Sequence, residues 1–192
     1  MRKTLIFTWI LLSTFALKAQ NWYQIGFKIS SKVPLVRSYS DIDYASSIRS
    51  LQFGGFFRAG KYVYGEVGIG YEYFKGNYIH TTPDNETMED LVECRYLVIP
   101  IKAVGDVPIN KTFSFLPYIG VLYNPLLKVT DNTLGYSKEN IENHWTQFTT
   151  GFDFRLKFVT VGIDYRLSFQ HFFQNKEGRL PQFIGFNVGV IF

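Results

Sequence analysis

The side chains of this chain that could act as a nucleophile and its base are Ser168 and His171, in the stretch RLSFQHFF. A serine nucleophile needs its base within hydrogen-bond reach. Residues three apart on a β-strand point to opposite faces of the sheet. The spacing therefore argues against hydrolytic or acyl-transfer chemistry on this pair.

The residues that most often bind metals are few and scattered. The chain has one cysteine, Cys94, and three histidines, His80, His144 and His171. None of them stands in the paired Cys or His spacing that zinc sites use. A single cysteine also cannot form an intramolecular disulfide. We therefore expect no catalytic residue, no metal site and no cofactor.

Charged residues occur at a second spacing, in which they alternate with apolar ones. In TTGFDFRLKFVTVGIDYRLSF, residues 149–169, Asp153 and Arg155 stand between aromatic or aliphatic neighbours, and Asp164 and Arg166 do the same further on. This period of two is typical of a β-strand with one apolar and one polar face. The chemistry of these residues is ion pairing, and its geometry depends on how the strands pair.

The two halves of that stretch predict a hairpin whose charges select the register. With a turn at 159–160, Arg155 faces Asp164 and Asp153 faces Arg166. Opposite charges on facing positions are favourable, whereas a slip by two residues sets like charges opposite each other. Two-residue hairpins favour Gly or Asn, so a wider loop remains open as an alternative. The other face is wholly apolar and consists of Phe152, Phe154, Leu156, Ile163, Tyr165 and Leu167.

Period-two alternation covers most of the chain and predicts eight strands. Most have nine or more residues, about the length that a tilted strand needs to cross a bilayer. In the fourth, Pro100 cannot donate to the ladder and predicts a bulge. The predicted strands are Trp22 to Ser30, Arg49 to Ala59, Tyr62 to Phe74, Leu91 to Val104, Phe113 to Leu127, Trp145 to Phe158, Val161 to Phe173, and Gln182 to Phe192.

The connections between the predicted strands alternate strictly between short and long. The short ones are 60–61, 105–112 and 159–160, and the long, mostly polar ones are 31–48, 75–90, 128–144 and 174–181. In an up-and-down barrel, alternate connections lie at opposite ends, so all long loops share one end. Bacterial outer-membrane barrels have this asymmetry. The predicted fold class is therefore all-β, an eight-stranded antiparallel up-and-down transmembrane β-barrel with both termini at the short-turn end.

A soluble, lipocalin-like barrel also alternates, but with its apolar face inside. Strand length, one-ended long loops and glycines on the polar face favour the membrane barrel over this alternative. Eight strands enclose a space that side chains just fill, so ion conduction should be weak or absent. Aromatic residues near strand ends, such as Trp22, Tyr62, Trp145 and Phe172, are candidates for interfacial girdles. The predicted lumen charges, which should compensate one another as a structural plug, are Arg58, Glu66, Glu72, Asp153, Arg155, Asp164 and Arg166.

The first residues form a basic start, an apolar run and a small residue before Gln20, which predicts a signal peptide over 1–19 that is cleaved. The domain is then 20–192. Arg2, Lys3 and Lys18 leave with the signal, so the 20 basic and 16 acidic residues become 17 and 16. The remaining net charge of about +1 implies no nucleic-acid partner.

Two segments carry a resemblance to a known family. RYLVIPIKA (95–103) followed by FLPYIGVLYNPLL (115–127) resembles the PorT-like outer-membrane β-barrel family, in which a Tyr-Leu-x-Ile-Pro strand precedes a Pro-Tyr-x-Gly strand. The chain departs from that pattern after Gly120, where Leu122, Tyr123 and Pro125 follow. The resemblance implies an integral outer-membrane protein of a Gram-negative cell, usually without assigned catalysis.

The expected partners follow from these interpretations. They are outer-membrane lipid, a surface protein or ligand bound by the extracellular loops, and the barrel-assembly machinery, because the final strand ending in Phe192 resembles the aromatic-ended signal that this machinery reads. The function expected is a non-enzymatic outer-membrane barrel that serves surface interaction or envelope and secretion-related assembly. Two alternatives stay open: an exported soluble ligand-binding barrel and an outer-membrane lipid-modifying enzyme.

Overall fold

The computed structural model describes residues 22–35, 43–81, 87–130, 132, 135–172, 174 and 180–192. The predicted signal peptide at 1–19 lies outside the described residues. Among the residues that are described, no helix is long and apolar enough to cross a membrane.

The described chain forms strands that follow one another around a closed sheet. Strands that are consecutive in sequence pair antiparallel, except that β4 pairs with β6 and not with the two-residue β5. The pairing of β1 with β9 closes the ring. The predicted eight-stranded antiparallel up-and-down barrel is therefore confirmed. The strands are β1 (Tyr23–Pro34), β2 (Asp43–Gly60), β3 (Val63–Thr81), β4 (Thr87–Gly105), β5 (Val107–Pro108), β6 (Phe113–Val129), β7 (His144–Leu156), β8 (Val159–Ser168) and β9 (Gln182–Ile191).

The connections separate the barrel into two ends. The turn end carries the β2–β3, β4–β6 and β7–β8 connections, and the loop end carries 35–42, 82–86, 130–143 and 169–181. Ile25 and Phe192 exchange backbone hydrogen bonds of 2.8 and 3.2 Å, so the first and last strands meet at the turn end. Both ends of the barrel domain thus lie on the side that the sequence predicts.

Strands β2, β3 and β4 are among those that continue past their predicted limits at the loop end, and β1 and β6 also do so, to Pro34 and Val129. β2 begins at Asp43, β3 runs to Thr81 and β4 begins at Thr87, so most of the predicted loop 75–90 belongs to the sheet. These segments are polar at successive positions. The apolar alternation that locates strand ends therefore stops before the hydrogen-bonded ladder does.

The β7–β8 hairpin has a different register from the one predicted. Leu156 pairs with Val159, and the turn consists of Lys157 and Phe158, with Lys157 in a left-handed conformation at φ 55°. The Lys157 backbone N–H donates to the carbonyl of Thr112 at 2.9 Å, which ties this turn to the neighbouring one. The hairpin therefore has a two-residue turn, and the wider loop that the sequence left open does not form.

This register overturns both predicted charge pairs. Arg155 faces Thr160 and Arg166 faces Thr149, so the predicted pairs of Arg155 with Asp164 and of Asp153 with Arg166 are wrong. The slip is by an even number of residues, which leaves every side chain on its predicted face. The apolar face from Phe152 to Leu167 is accordingly outward, as expected.

The bulge predicted at Pro100 lies elsewhere. Pro100 keeps a regular position opposite Leu122, and the β4–β6 register shifts between Arg95 and Tyr96 instead. Proline needs no partner for an N–H that it lacks, so the ladder accommodates it at a position that requires no donor. The extra residue of this bulge is Leu127 of β6, which lies nearer the loop end than Pro100 does.

Candidate functional site

The candidate site is the barrel lumen, where alternate side chains of all eight long strands meet. All seven predicted lumen charges have inward side chains, and all except Arg155 are at most 3% exposed. Burying charges requires that each be paired and hydrogen-bonded. Their partners therefore decide what the lumen can do.

Glu66 lies at the centre of the first group of ion pairs. Arg58 Nε donates to Glu66 Oε2 at 2.5 Å, and Lys102 Nζ lies 3.5 Å from Glu66 Oε1. Arg58 also reaches Asp153, with Nη2 to Oδ2 at 3.8 Å. Lys28 Nζ donates to the same Asp153 oxygen at 2.7 Å. These contacts join β1, β2, β3, β4 and β7 into one network across the lumen.

Asp164 anchors a second group beside the first. Arg166, two residues along the same strand, donates to both Asp164 oxygens at 2.7 and 3.1 Å. Asn187 Nδ2 adds a hydrogen bond of 3.0 Å to Asp164 and another of 3.1 Å to the Tyr118 hydroxyl. Arg166 also donates to Gln52 Oε1 at 2.8 Å, across the lumen on β2.

Arg155 lies apart from both groups, at the turn end. Its Nη2 donates to Asp106 Oδ2 and to Ser114 Oγ, each at 2.9 Å. Asp106 stands between β4 and β5, in a segment that the sequence assigned to a turn. The predicted partner of Arg155 was on the adjacent strand β8, whereas the actual carboxylate comes from the turn between β4 and β6.

Three lysines of the lumen were missed by the sequence interpretation: Lys28, Lys32 and Lys102. Lys28 and Lys102 lie over the Tyr118 ring at 5.3 and 4.5 Å from its centroid. The signal for them was present, because Lys28 alternates with the outward residues 27 and 29, and Lys102 alternates with 101 and 103. The same period-two rule that located the arginines identifies these lysines.

Glycines make room for the two buried aspartates. Gly162 faces Asp153 and Gly185 faces Asp164 across the ladder. A Cβ at Gly162 would lie 2.1 Å from Asp153 Oδ1, and one at Gly185 would lie 2.4 Å from Asp164 Oδ1. Both carboxylates therefore pack directly against the facing strand at a glycine, where a larger residue would clash with them.

The loop-end half of the lumen is an aromatic cluster around one ion pair. Lys32 Nζ lies 2.6 Å from Glu72 Oε1, and Ser50 donates to the same oxygen at 2.6 Å. Rings surround the ammonium, with Trp145 and Phe183 at centroid distances of 4.8 and 4.6 Å. The cluster comprises Phe74, Val92, Cys94, Tyr96, Leu126, Ile141, Trp145, Phe172 and Phe183.

Two residues proposed for an interfacial girdle belong to this cluster. Trp145 is 1% exposed and Phe172 is 2% exposed, so neither reaches the outer surface. Trp22 and Tyr62, by contrast, are 67% and 70% exposed at the turn end. Proximity to a strand end does not reveal which face an aromatic residue occupies.

The space that remains between the charge groups is small. A cavity of about 30 Å³ lies beside Lys28, Glu66, Lys102 and Arg166. A cavity of this size holds about two water molecules. Side chains occupy the rest of the cross-section at that level.

The residues first considered for chemistry are not assembled into a site in the described part of the chain. Ser168 is buried and its hydroxyl accepts from Gln147 Nε2 at 3.2 Å. No hydrogen bond joins Ser168 to His171 among the described residues. His144 Nδ1 contacts the Tyr123 hydroxyl at 2.9 Å, and Cys94 is a buried free thiol. The described residues contain no group of three metal-binding side chains.

The outer wall has the opposite polarity to the lumen. Its exposed side chains over the middle of the strands are apolar, and the charged ones lie toward the two ends. These apolar side chains form a band that faces the medium around the barrel. Its more exposed members include Phe27, Ile29, Phe53, Val67, Ile69, Ile101, Ile119, Phe154, Val161, Ile163, Phe186 and Val188.

No protein-family model matches the sequence, and no curated protein sequence matches it either. Among solved structures, the translocator domain of autotransporter NalP from Neisseria meningitidis has a TM-score of 0.46 at 9% identity, covering 100% of this chain and 97% of that one. Ail, the attachment invasion locus protein of Yersinia pestis, has a TM-score of 0.48 at 12% identity, covering 89% and 99%. LpxR from Salmonella typhimurium has a TM-score of 0.37 at 7% identity, covering 88% and 100%.

Proposed function

We propose that this protein is a non-enzymatic, integral outer-membrane β-barrel that presents its long loops at the cell surface. The observation that carries the proposal is the inverted polarity of the barrel. Buried ion pairs such as Arg58 with Glu66 lie inside, while residues such as Ile69 at 62% exposed face outward. That distribution suits a wall surrounded by hydrocarbon.

The same observation weighs against an exported lipocalin-like barrel. A soluble ligand-binding barrel places its apolar side chains around an internal ligand and its charges in water. Here the centre of the lumen holds Glu66, Asp153 and Asp164 with their cations, and its cavity of about 30 Å³ is too small for such a ligand. The membrane barrel is the better account of both surfaces.

The orientation follows from the two ends of the barrel. Outer-membrane barrels have short periplasmic turns and longer extracellular loops. The loop end therefore faces the outside and is the place for a surface partner, whereas Trp22 and Phe192 face the periplasm. Phe192 is 76% exposed beside β1, where the barrel-assembly machinery can contact it.

The filled lumen supports a structural or surface-binding role in preference to transport. Lys28, Arg58, Lys102 and Arg166 extend into the centre from four different strands. An ion that crossed the barrel would have to displace these paired side chains. We accordingly expect no steady conductance, and no hydrolysis by Ser168.

Membrane fractionation with a heat-modifiability gel tests the proposal. We expect the mature chain in the outer-membrane fraction, with different mobility before and after boiling, and no open-channel current in planar bilayers. Recovery in the soluble fraction with unchanged mobility would overturn the membrane assignment. A stable unitary current would instead overturn the closed lumen.

A further inference from the structure

The outer wall carries a patch of basic side chains at the loop end, just above the apolar band. Arg49 on β2 faces Lys75 on β3, and Arg95 on β4 faces Lys128 on β6. These four positions occupy two successive outward rows on four adjacent strands. Glu93, which pairs with Lys75 at 3.3 Å, is the carboxylate that accompanies them among the described outward side chains. We call the four cations the basic patch.

The basic patch is unfavourable for the isolated barrel. Like charges on directly facing strand positions repel each other, and the patch contains two such pairs. With Glu93 included, its formal charge is +3. A polyanion placed against these strands would relieve the repulsion.

An apolar groove lies below the patch on β1, β2, β3 and β4, so it shares three strands with the patch. It has a volume of about 540 Å³ and runs between Phe27, Phe53, Ile69, Tyr71 and Leu97. Leu97 is two residues from Arg95, and Tyr71 is four residues from Lys75. At about 3.3 Å per residue, the groove begins roughly 7 to 13 Å from the cations. An extended acyl chain fits that arrangement.

The groove exists because Gly55 has no side chain. A Cβ at Gly55 would lie 3.5 Å from Phe27 Cε1, which is an ordinary contact distance. The packing of the barrel therefore does not require glycine there, unlike the lumen glycines beside Asp153 and Asp164. The missing side chain leaves the wall open to an outside occupant.

We propose that the basic patch and the groove together form a binding site for a phosphorylated lipid with several acyl chains, in the leaflet at the loop end. Neighbouring strands are about 4.8 Å apart, so the patch spans roughly 15 Å, wide enough to contact more than one phosphate. The proposal rests on the membrane orientation given above. In that orientation the leaflet is the outer one, whose phosphorylated lipid is lipid A.

The test measures binding of diphosphorylated lipid A to the detergent-purified mature protein by native mass spectrometry. Each basic side chain near an anionic lipid surface contributes about 1 kcal/mol, so Arg95→Gln with Lys128→Gln should weaken binding about 30-fold. The matched control is Lys61→Gln with Lys111→Gln at the turn end, which should leave binding unchanged. Gly55→Val should also weaken binding, whereas Gly65→Val, on the open outer wall of β3, should not.

Three further arms identify the lipid. Lipid A without phosphates should bind more weakly, inorganic phosphate should not compete at equal concentration, and phosphatidylglycerol should bind more weakly than lipid A. Equal binding of dephosphorylated lipid A, or equal losses in patch and control variants, would overturn the proposal. Because the heat-modifiability gel monitors folding and insertion for every variant, a folded, inserted barrel without lipid preference would refute only this site. Failure to insert would refute the membrane function itself.

Discussion

The two halves of the lumen stabilise their buried charges in different ways. Near the centre, five charged groups form one network, in which Glu66 has both Arg58 and Lys102, and Asp153 has both Lys28 and Arg58. Near the loop end, Glu72 has its ion pair with Lys32 inside a shell of aromatic rings. The centre is therefore redundant in its charges, whereas the loop-end half depends on one ion pair and on close packing.

The largest effect is expected from Lys32→Met. It leaves Glu72 buried without an ion-pair partner in the described part of the lumen, which should reduce the free energy of unfolding by about 3–5 kcal/mol. Urea unfolding in lipid vesicles gives this value. The control is Lys75→Met, which removes a half-exposed pair with Glu93 and should cost about 0–1 kcal/mol. Equal costs would refute the dependence on Lys32.

A smaller effect is expected from Arg58→Met in the centre. Glu66 keeps Lys102 and Asp153 keeps Lys28, so the cost should be about 1–3 kcal/mol by the same unfolding measurement. The double variant Arg58→Met with Lys102→Met should cost more than the sum of the two single changes, because Glu66 then has neither cation. Simple additivity would contradict the shared partnership.

Next in size is Gly185→Ala, which tests how tightly the centre is packed. The added Cβ would lie 2.4 Å from Asp164 Oδ1 and must displace that carboxylate from Arg166. A cost of about 1–3 kcal/mol is typical of overpacking. Gly65→Ala, whose Cβ would have its nearest neighbour at 4.0 Å, is the matched control and should change stability little.

The smallest expected effect lies outside both halves, at the β7–β8 turn. Lys157 holds a φ of 55°, a conformation that costs an L-residue roughly 1–2 kcal/mol and glycine almost nothing. Part of the gain is lost because glycine loses more conformational entropy on folding. Lys157→Gly should therefore raise the free energy of unfolding by about 0.5–1 kcal/mol. A decrease would mean that the lysine side chain contributes more than its backbone strain costs.

Much of the fold follows from the sequence. The period-two alternation predicts the strands and their faces, and the alternation of long and short connections predicts the up-and-down order. Strand ends such as Thr81 in β3 were not predictable, because polar residues continue the ladder without apolar alternation. The face of Trp145 was missed because an aromatic residue suits either a membrane interface or a lumen.

The pairing of the lumen charges was the least predictable feature. The prediction for Arg155 and Asp164 treated neighbouring strands as the source of partners, as in an open sheet. In a narrow closed barrel, a long side chain reaches strands on the far side: Lys28 on β1 contacts Asp153 on β7, and Arg166 on β8 contacts Gln52 on β2. The strand register therefore does not determine which partner a lumen charge contacts. The glycines opposite Asp153 and Asp164 were a better sign of where the buried carboxylates lie.

The inverted polarity of the barrel is tested most directly by quenching of tryptophan fluorescence with brominated lipid chains. Two variants are compared in vesicles: Trp22→Phe, which leaves Trp145 in the lumen, and Trp22→Phe with Trp145→Phe and Phe154→Trp, which places the single fluorophore of the mature chain on the outer wall. The account predicts strong quenching for the second and almost none for the first. Strong quenching of Trp145, with none for the outer-wall variant, would contradict it.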